Sequence, residues 1–239
     1  MSAERSVVPL ESNPEVFTDF AHDLGLIDSY GFVDIYSLTD PDVLGFVPRP
    51  VKALILLFPI SEVSESDKNA IVERNEQAAQ DDNQPIWFRQ TIKNACGLYG
   101  LLHALANNND LLKADSKLKQ FIGSNPSDNG QYADLATDEF VISLSVQHTD
   151  KFQQGQTVAP PASEDVDLHY ITFVEHNGKI YELDGRRISG AKCLGSITDN
   201  NSDLVGNKIV TDRVQWYIDN ADEKNKLNLS LLGLVQPWD

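Results

Sequence analysis

The chain has 239 residues, of which 41% are hydrophobic and 23% charged, a composition that can bury a substantial core without disulfides. Its net charge of −17 argues against nucleic acid or an anionic membrane as the main partner, and leaves a basic partner or simple solubility. The sequence starts without an apolar signal-peptide core, and its longest apolar run, residues 53–60, is too short to span a bilayer. With two cysteines, we expect a cytoplasmic or nuclear protein.

The N-terminal third predicts two helices and a strand. A helix is expected over residues 12–26, where Asn13 can cap the first turn and Gly25 can end the last. A short helix is expected over residues 40–46. The apolar run at 51–60 predicts a buried central strand.

The middle of the chain predicts helices separated by two polar segments. Residues 61–84 are acidic and read as an exposed loop with a surface helix in its middle. An apolar helix begins near Cys96, and further helices are expected over 111–122 and 136–148. Residues 150–168 contain Gly, Pro and acidic residues without periodicity, which predicts a functional lid or a disordered segment.

The C-terminal third gives the clearest β signal. Residues 169–185 form two alternating runs around Asn177-Gly178, a strong hairpin turn signal. A strand over 191–197, a helix over 203–221 and a strand over 227–235 follow. Because strands and helices interleave irregularly, we expect one α+β domain around a mostly antiparallel sheet flanked by helices.

The hairpin brings a histidine and a carboxylate together. A two-residue loop at Asn177-Gly178, or one residue earlier, puts His169 and Asp184 on the same face of the ladder. A three-residue loop without a bulge would separate them. A histidine held by a carboxylate has a fixed tautomer and a stabilised cation, which is what a nucleophilic thiol needs from its base.

Cys96 is the candidate thiol. A buried structural cysteine is the alternative, but a helix that starts at Cys96 would favour the thiolate. Gln90 and the Cys96 backbone N–H are candidate donors to an oxyanion.

Other reactive side chains have weaker support. We expect Cys193 to be inert core, His103 to be too far along the helix to serve as the base, and His148 to be a marginal alternative base. The sequence has no CxxC, HxxxH, GxGxxG or P-loop pattern, so we expect no metal and no cofactor.

Four stretches of this sequence resemble one known family. NACGLYGLLHAL, LHYITFVEHNGKIYELDGR, VPLESNPEVFTDFAHDLGL and DIYSLTDPDVLGFVPRPVKALILLFPI are similar to segments of the ubiquitin C-terminal hydrolases, a family of cysteine proteases. The resemblance extends over essentially the whole chain. Its least characteristic parts are 61–84, 123–133 and 199–208.

The resemblance implies a fold and a set of site residues. The family has a papain-like α+β fold with a knotted backbone. By similarity, Cys96 is the nucleophile, His169 the general base and acid, Asp184 its orienter and Gln90 the oxyanion donor. Asn94 matches an Asn that supports the site by hydrogen bonding, and we expect it at the substrate-binding surface.

The resemblance also implies a substrate and a lid. Residues 150–168 correspond to a crossover loop over the active site, which limits leaving groups to small adducts, short peptides or unfolded tails. We expect residues 1–239 to be a single monomeric catalytic domain that acts on ubiquitin, or also on a ubiquitin-like modifier. Two alternatives stay open: another papain-like acyl-transfer enzyme of the transglutaminase type, and a catalytically idle ubiquitin-binding protein.

Overall fold

The computed structural model of the chain describes residues 5–69, 83–148, 160–162, 164, 166–197 and 202–238. Seven α-helices and eight strands are present in these ranges. The helices are Pro14–Leu24 (α1), Pro41–Leu44 (α2), Glu62–Asn69 (α3), Cys96–Ala106 (α4), Lys117–Ser124 (α5), Asp134–Gln147 (α6) and Lys208–Asp219 (α7). The strands are Gly31–Asp34 (β1), Ala53–Pro59 (β2), Ser127–Asp128 (β3), Gln131–Tyr132 (β4), Leu168–His176 (β5), Lys179–Leu183 (β6), Lys192–Ser196 (β7) and Ser230–Val235 (β8).

One six-stranded sheet organises the fold, with the strand order β1-β8-β2-β5-β6-β7. Every pairing in it is antiparallel, and β2 lies between β5 and β8 as the buried run at 51–60 predicted. β3 and β4 form a separate two-stranded ribbon. The predicted α+β class with an antiparallel sheet flanked by helices is confirmed.

Helices cover both faces of the sheet. α4 is buried along its whole length and packs with α1 against one face, while α7 packs against the other face. α1 follows its predicted caps: the Asn13 side chain accepts from the first-turn N–H groups, and Gly25 ends the helix at φ 108°. The sheet is therefore enclosed between two apolar layers.

Several predicted boundaries were wrong. The strand β1 was not predicted, because Gly31–Asp34 is short and forms its ladder with distant β8. α6 begins at Asp134 rather than near Thr137, whose hydroxyl donates to the Ala133 carbonyl inside the helix. The helix expected over 111–122 both starts and ends later, at Lys117–Ser124.

Two predicted segments lie largely outside the described residues. The exposed stretch at 61–84 contains α3 at its start, whereas the surface helix was expected in its middle, and residues 70–82 are not described. Of the predicted lid at 150–168, only 160–162, 164 and 166–168 are described.

Candidate active site

The predicted hairpin positions the histidine and its carboxylate. Thr172 pairs with Leu183, and the last pair of the ladder, His176 with Lys179, leaves Asn177-Gly178 as a two-residue loop. Both loop residues have positive φ, 50° and 73°, as a type I′ turn requires. The register is therefore the one that the Asn-Gly loop predicts.

His169 and Asp184 meet just beyond the paired part of the hairpin. His169 Nε2 lies 2.7 Å from Asp184 Oδ1, and both side chains are almost fully buried. The Arg186 backbone N–H donates to the same carboxylate oxygen at 2.9 Å, and the Trp87 indole N–H donates to the Asp184 carbonyl at 2.9 Å. Since Nε2 is bound to Asp184, Nδ1 is the imidazole nitrogen left for Cys96.

The charges of this group support one another. Burial lowers the pKa of His169, but the charge and hydrogen bond of Asp184, together with Cys96, outweigh burial and raise that pKa to about 9. Burial raises the pKa of Asp184, but the His169 cation and the Arg186 N–H lower it to about 2. The carboxylate is thus ionised and the imidazole is held as a cation at neutral pH.

Cys96 is the first residue of α4. Burial raises the pKa of its thiol, but the hydrogen bond and charge of His169, with backbone donors at Tyr170 and Gly97, bring it below its ordinary value. No side chain caps this helix end, so its positive end is directed at the thiol. The arrangement favours a thiolate–imidazolium pair.

Gly97 allows the start of α4 to approach the neighbouring elements closely. A Cβ on Gly97 would lie 2.8 Å from Leu10 Cβ and 3.3 Å from the ring of Tyr170. The Tyr170 hydroxyl donates to the Leu10 carbonyl at 2.9 Å. The absent side chain therefore lets the segment containing Leu10 pack beside the thiol.

Gln90 lies beside Cys96 and is oriented by its own loop. Its Nε2 donates to the Ile92 carbonyl at 3.1 Å, and its backbone N–H donates to the Gly185 carbonyl at 2.8 Å. Since an amide nitrogen has two hydrogens, the second one can serve an oxyanion near Cys96. The Gly185 contact also ties Gln90 to the turn that follows Asp184.

Asn94 contacts the end of the predicted lid. Its Nδ2 donates to the carbonyls of Ala162 at 3.1 Å and Glu164 at 2.9 Å. Its backbone is left-handed at φ 60°, a conformation that Asn tolerates better than most residues. Sequence reasoning named Asn94 as a supporting residue and did not find these partners, because they lie about seventy positions away.

These residues surround one cleft of about 610 Å³. Its walls include apolar side chains beside the thiol and the imidazole, and charged residues at its margin. The lining contains Pro9, Leu10, Glu11, Ser12, Leu57, Ile60, Gln90, Thr91, Ile92, Lys93, Asn94, Cys96, Pro160, Val166, Leu168, His169, Tyr170 and Arg186.

The other candidate groups lie elsewhere. His103 is buried against Phe88 and accepts its backbone N–H at 3.0 Å, and burial lowers its pKa to about 4. His148 Nδ1 lies 3.0 Å from Asp23 Oδ2 and is not among the cleft residues. Cys193 lies in a strand as predicted, but the expectation that it is core was wrong. It is exposed, because β7 is an edge strand.

Within the described part of the chain, no group of three or more His, Cys, Asp or Glu side chains could hold a metal ion. None of the described helices is long and apolar enough to cross a membrane.

Comparison with known proteins decides the family. Residues 7–219 match the family described as ubiquitin carboxyl-terminal hydrolase, family 1. The chain belongs to the ubiquitin carboxyl-terminal hydrolase family. The resemblance seen in the sequence is thereby confirmed, and with it the class of cysteine-type hydrolase.

Relatives and solved structures agree with this family. The Saccharomyces cerevisiae ubiquitin carboxyl-terminal hydrolase YUH1 is 46% identical over 243 residues, covering 100% of both chains. A ubiquitin carboxyl-terminal hydrolase of Aplysia californica is 37% identical, covering 78% of this chain and 85% of its own. The catalytic domain of Trichinella spiralis UCH37, solved with ubiquitin vinyl methyl ester, shares the fold at a TM-score of 0.70 and 19% identity, covering 99% of this chain and 98% of its own.

Proposed function

We propose that this hydrolase cleaves the bond after the C-terminal Gly of ubiquitin, with Cys96 as the nucleophile. The observation that supports it best is the buried series from Cys96 through His169 to Asp184, with 2.7 Å between the last two side chains. Cys96 and His169 line a cleft with Gln90 and Asn94, the two remaining residues that the sequence singled out.

Acylation starts from the thiolate–imidazolium pair. Cys96 Sγ attacks the carbonyl carbon of the terminal Gly, and negative charge develops on the carbonyl oxygen. The Gln90 amide and the Cys96 backbone N–H donate to that oxygen. His169 then gives its proton to the leaving nitrogen, the C–N bond breaks, and a thioester with Cys96 remains.

Deacylation reverses the role of the histidine. A water molecule attacks the thioester carbonyl while His169, now neutral, accepts its proton. The C–S bond breaks, the terminal carboxylic acid of ubiquitin leaves and gives its remaining proton to solvent, and the thiolate–imidazolium pair is restored. Asp184 keeps the same His169 tautomer through both halves, because its carboxylate stays bonded to Nε2.

The charge of the chain fits this substrate. The ubiquitin tail carries arginines before its terminal Gly-Gly, and a protein of net charge −17 attracts such a segment. Small adducts and short or unfolded peptides remain the proposed leaving groups. The contacts of Asn94 with Ala162 and Glu164 support a segment that closes over the cleft.

The rival functions have less support. A ubiquitin-binding protein without activity does not need a thiol whose pKa is lowered by a buried imidazole and carboxylate. A transglutaminase-type enzyme would use the same three groups, but the match over residues 7–219 is to hydrolases. We also retain a single monomeric domain, a cytoplasmic or nuclear location, and activity on a ubiquitin-like modifier as proposals.

Labelling with electrophilic ubiquitin tests the assignment. Ubiquitin with a C-terminal vinyl methyl ester should form one covalent adduct at Cys96, and Cys96→Ser should form none. Cys193→Ser is the matched control, since Cys193 is exposed and reacts with a general alkylating reagent without help from ubiquitin. An adduct on Cys193, or none on the wild-type chain, contradicts the proposal.

A further inference from the structure

A cluster of charges, two of them fully buried and three partly buried, lies behind the turn that holds Asp184. It joins Asp67 of α3, Glu182 of β6, Arg187 of the turn, Lys192 of β7 and Arg213 of α7. Glu182 and Arg187 are 0% and 1% exposed. Three cations meet two carboxylates, which leaves one net positive charge beside the active site.

The hydrogen bonds of the cluster are short and shared. The Asp67 carboxylate contacts Arg187 Nη2 at 2.9 Å, Lys192 Nζ at 2.8 Å and Arg213 Nη2 at 2.6 Å. Glu182 accepts from Arg187 at 2.8 Å and from Arg213 Nε at 2.5 Å. Because buried charges cost free energy to desolvate, such a cluster fixes geometry more than it adds stability.

The cluster holds both ends of the segment that contains Asp184. Glu182 lies two residues before Asp184, and Arg187 lies three residues after it, with its backbone N–H donating to the Asp184 carbonyl at 3.1 Å. Arg187 also donates through Nη1 to the Asp67 backbone carbonyl at 2.9 Å. A second link from α3 reaches the same turn, where Glu65 contacts Arg186 Nη2 at 2.8 Å.

We propose, on the basis of the function proposed above, that Asp67 is a positioning residue for Asp184. By binding Arg187, Lys192 and Arg213 together, its carboxylate fixes the turn at the geometry in which Asp184 meets His169. Asp67 touches neither the thiol nor the imidazole, so it acts through the turn. α3 is therefore part of the support of the active site.

The groups facing His169 set the sign of the effect. The imidazole of His169 faces the Cys96 thiolate of α4 and, at a greater distance, the neutral His103 of the same helix. On its other side it faces Asp184 of the turn. Glu11, Lys93 and Arg186 share its cleft, and Tyr217 of α7 packs on Phe58, which stands edge-on to the imidazole. Loss of the Asp67 charge leaves the cluster more positive, and a displaced Asp184 stabilises the imidazolium less. Both changes lower the pKa of His169.

The test compares Asp67→Asn with Asp212→Asn in the full chain. Asp212 forms an exposed ion pair with Lys208 on α7 and is the matched control. The kinetic assay is release of a fluorophore amide from the C-terminus of ubiquitin. The second readout is the titration of His169 followed by NMR of the histidine-labelled protein, which needs no turnover.

We expect Asp67→Asn to lower kcat about three- to tenfold with KM within about twofold, and to lower the pKa of His169 by about 0.5 to 1. Asp67→Glu should recover part of both, and Asp212→Asn should match the wild type. The double variant Asp67→Asn/Lys192→Gln keeps the net charge of the cluster. Its kcat should still be lower than that of the wild type, and it provides the measurement if Asp67→Asn alone does not fold.

The inference is overturned if both Asp67 variants unfold at lower temperature yet keep the wild-type kcat per folded molecule and the wild-type His169 titration. Asp67 would then only stabilise the fold. If the wild-type chain releases no fluorophore, the proposed function fails instead. The His169 titration then decides by itself whether Asp67 controls the contact of His169 with Asp184.

Discussion

Replacing Asp184 with asparagine removes a charge while keeping the shape of the side chain. The amide oxygen of Asn can still accept from the Arg186 N–H, so the turn should keep its conformation. What is lost is the carboxylate that faces His169 Nε2 at 2.7 Å. The substitution therefore isolates the electrostatic part of the contact.

The size of the effect follows from the pKa of His169. The step from its ordinary 6.5 to about 9 corresponds to roughly 3 kcal/mol. Burial opposes that step and Cys96 supports it, so the loss of Asp184 should lower the pKa by about 1 to 3. The alkaline limb of kcat/KM should move down by the same amount, and activity near pH 8 should fall between about twofold and ninetyfold, as the protonated fraction of His169 falls.

The assay is the pH profile of kcat/KM for a ubiquitin C-terminal fluorophore amide. Wild-type activity should hold from the lowered pKa of Cys96 up to about pH 9, where His169 loses its proton. In Asp184→Asn the pH range of full activity should narrow from both sides. The pKa of His169 falls, and the pKa of the Cys96 thiol rises because the imidazolium beside it is less stable. An unchanged alkaline limb would refute the reasoning.

Stability should respond to pH in a matching way. A raised pKa means that His169 stabilises the fold most below pH 6.5, and this contribution is lost as the pH rises through about 9. Because the pKa of Asp184 is lowered, its carboxylate stabilises the fold above pH 3.8, and this stabilisation is lost as the pH falls through about 2. The deficit of Asp184→Asn in urea unfolding should therefore be largest between about pH 4 and 6.5 and smaller at pH 9. A larger deficit at pH 9 contradicts this.

Three further predictions concern the cleft and the field around it. Gln90→Ala should lower kcat about 100- to 1,000-fold with little change in KM, because a donor to the oxyanion is lost, and a kcat within threefold of wild type counts against that role. Gly97→Ala should destabilise the fold by about 1–3 kcal/mol in thermal unfolding, since its Cβ would crowd Leu10 and Tyr170. Gly123→Ala, which meets nothing within 4 Å, is the control, and equal effects of the two would argue against crowding. Raising salt from about 0.02 to 0.3 M should lower kcat/KM several-fold with kcat unchanged, and a flat response would mean that the charge of −17 serves solubility alone.

Local signals in the sequence located much of the site. Asn177-Gly178 fixes the hairpin register, and the register places His169 and Asp184 on one face by arithmetic alone. The start of the apolar run placed Cys96 at the N-terminus of a helix. Each of these inferences depends on residues close in sequence, where turn chemistry and periodicity act directly.

What the sequence did not predict depends on distant partners. The cluster around Asp67 joins residues up to 146 positions apart, and no local pattern marks its members as buried. Cys193 was expected in the core because it lies in a predicted strand, but that strand is at the edge of the sheet and Cys193 is exposed. The partners of Asn94 are backbone carbonyls, and since every residue has one, the sequence does not indicate which of them it contacts.

The position of β2 has a consequence for biosynthesis. This strand is made early, yet its two neighbours in the sheet are β5, more than a hundred residues later, and β8, formed by Ser230–Val235. A growing chain on the ribosome therefore has no partner for this apolar strand until β5 is made, and none for its second edge until β8 is made. A chaperone that binds extended apolar segments would meet Ala53–Pro59 first, and release from it would coincide with the appearance of thiol activity.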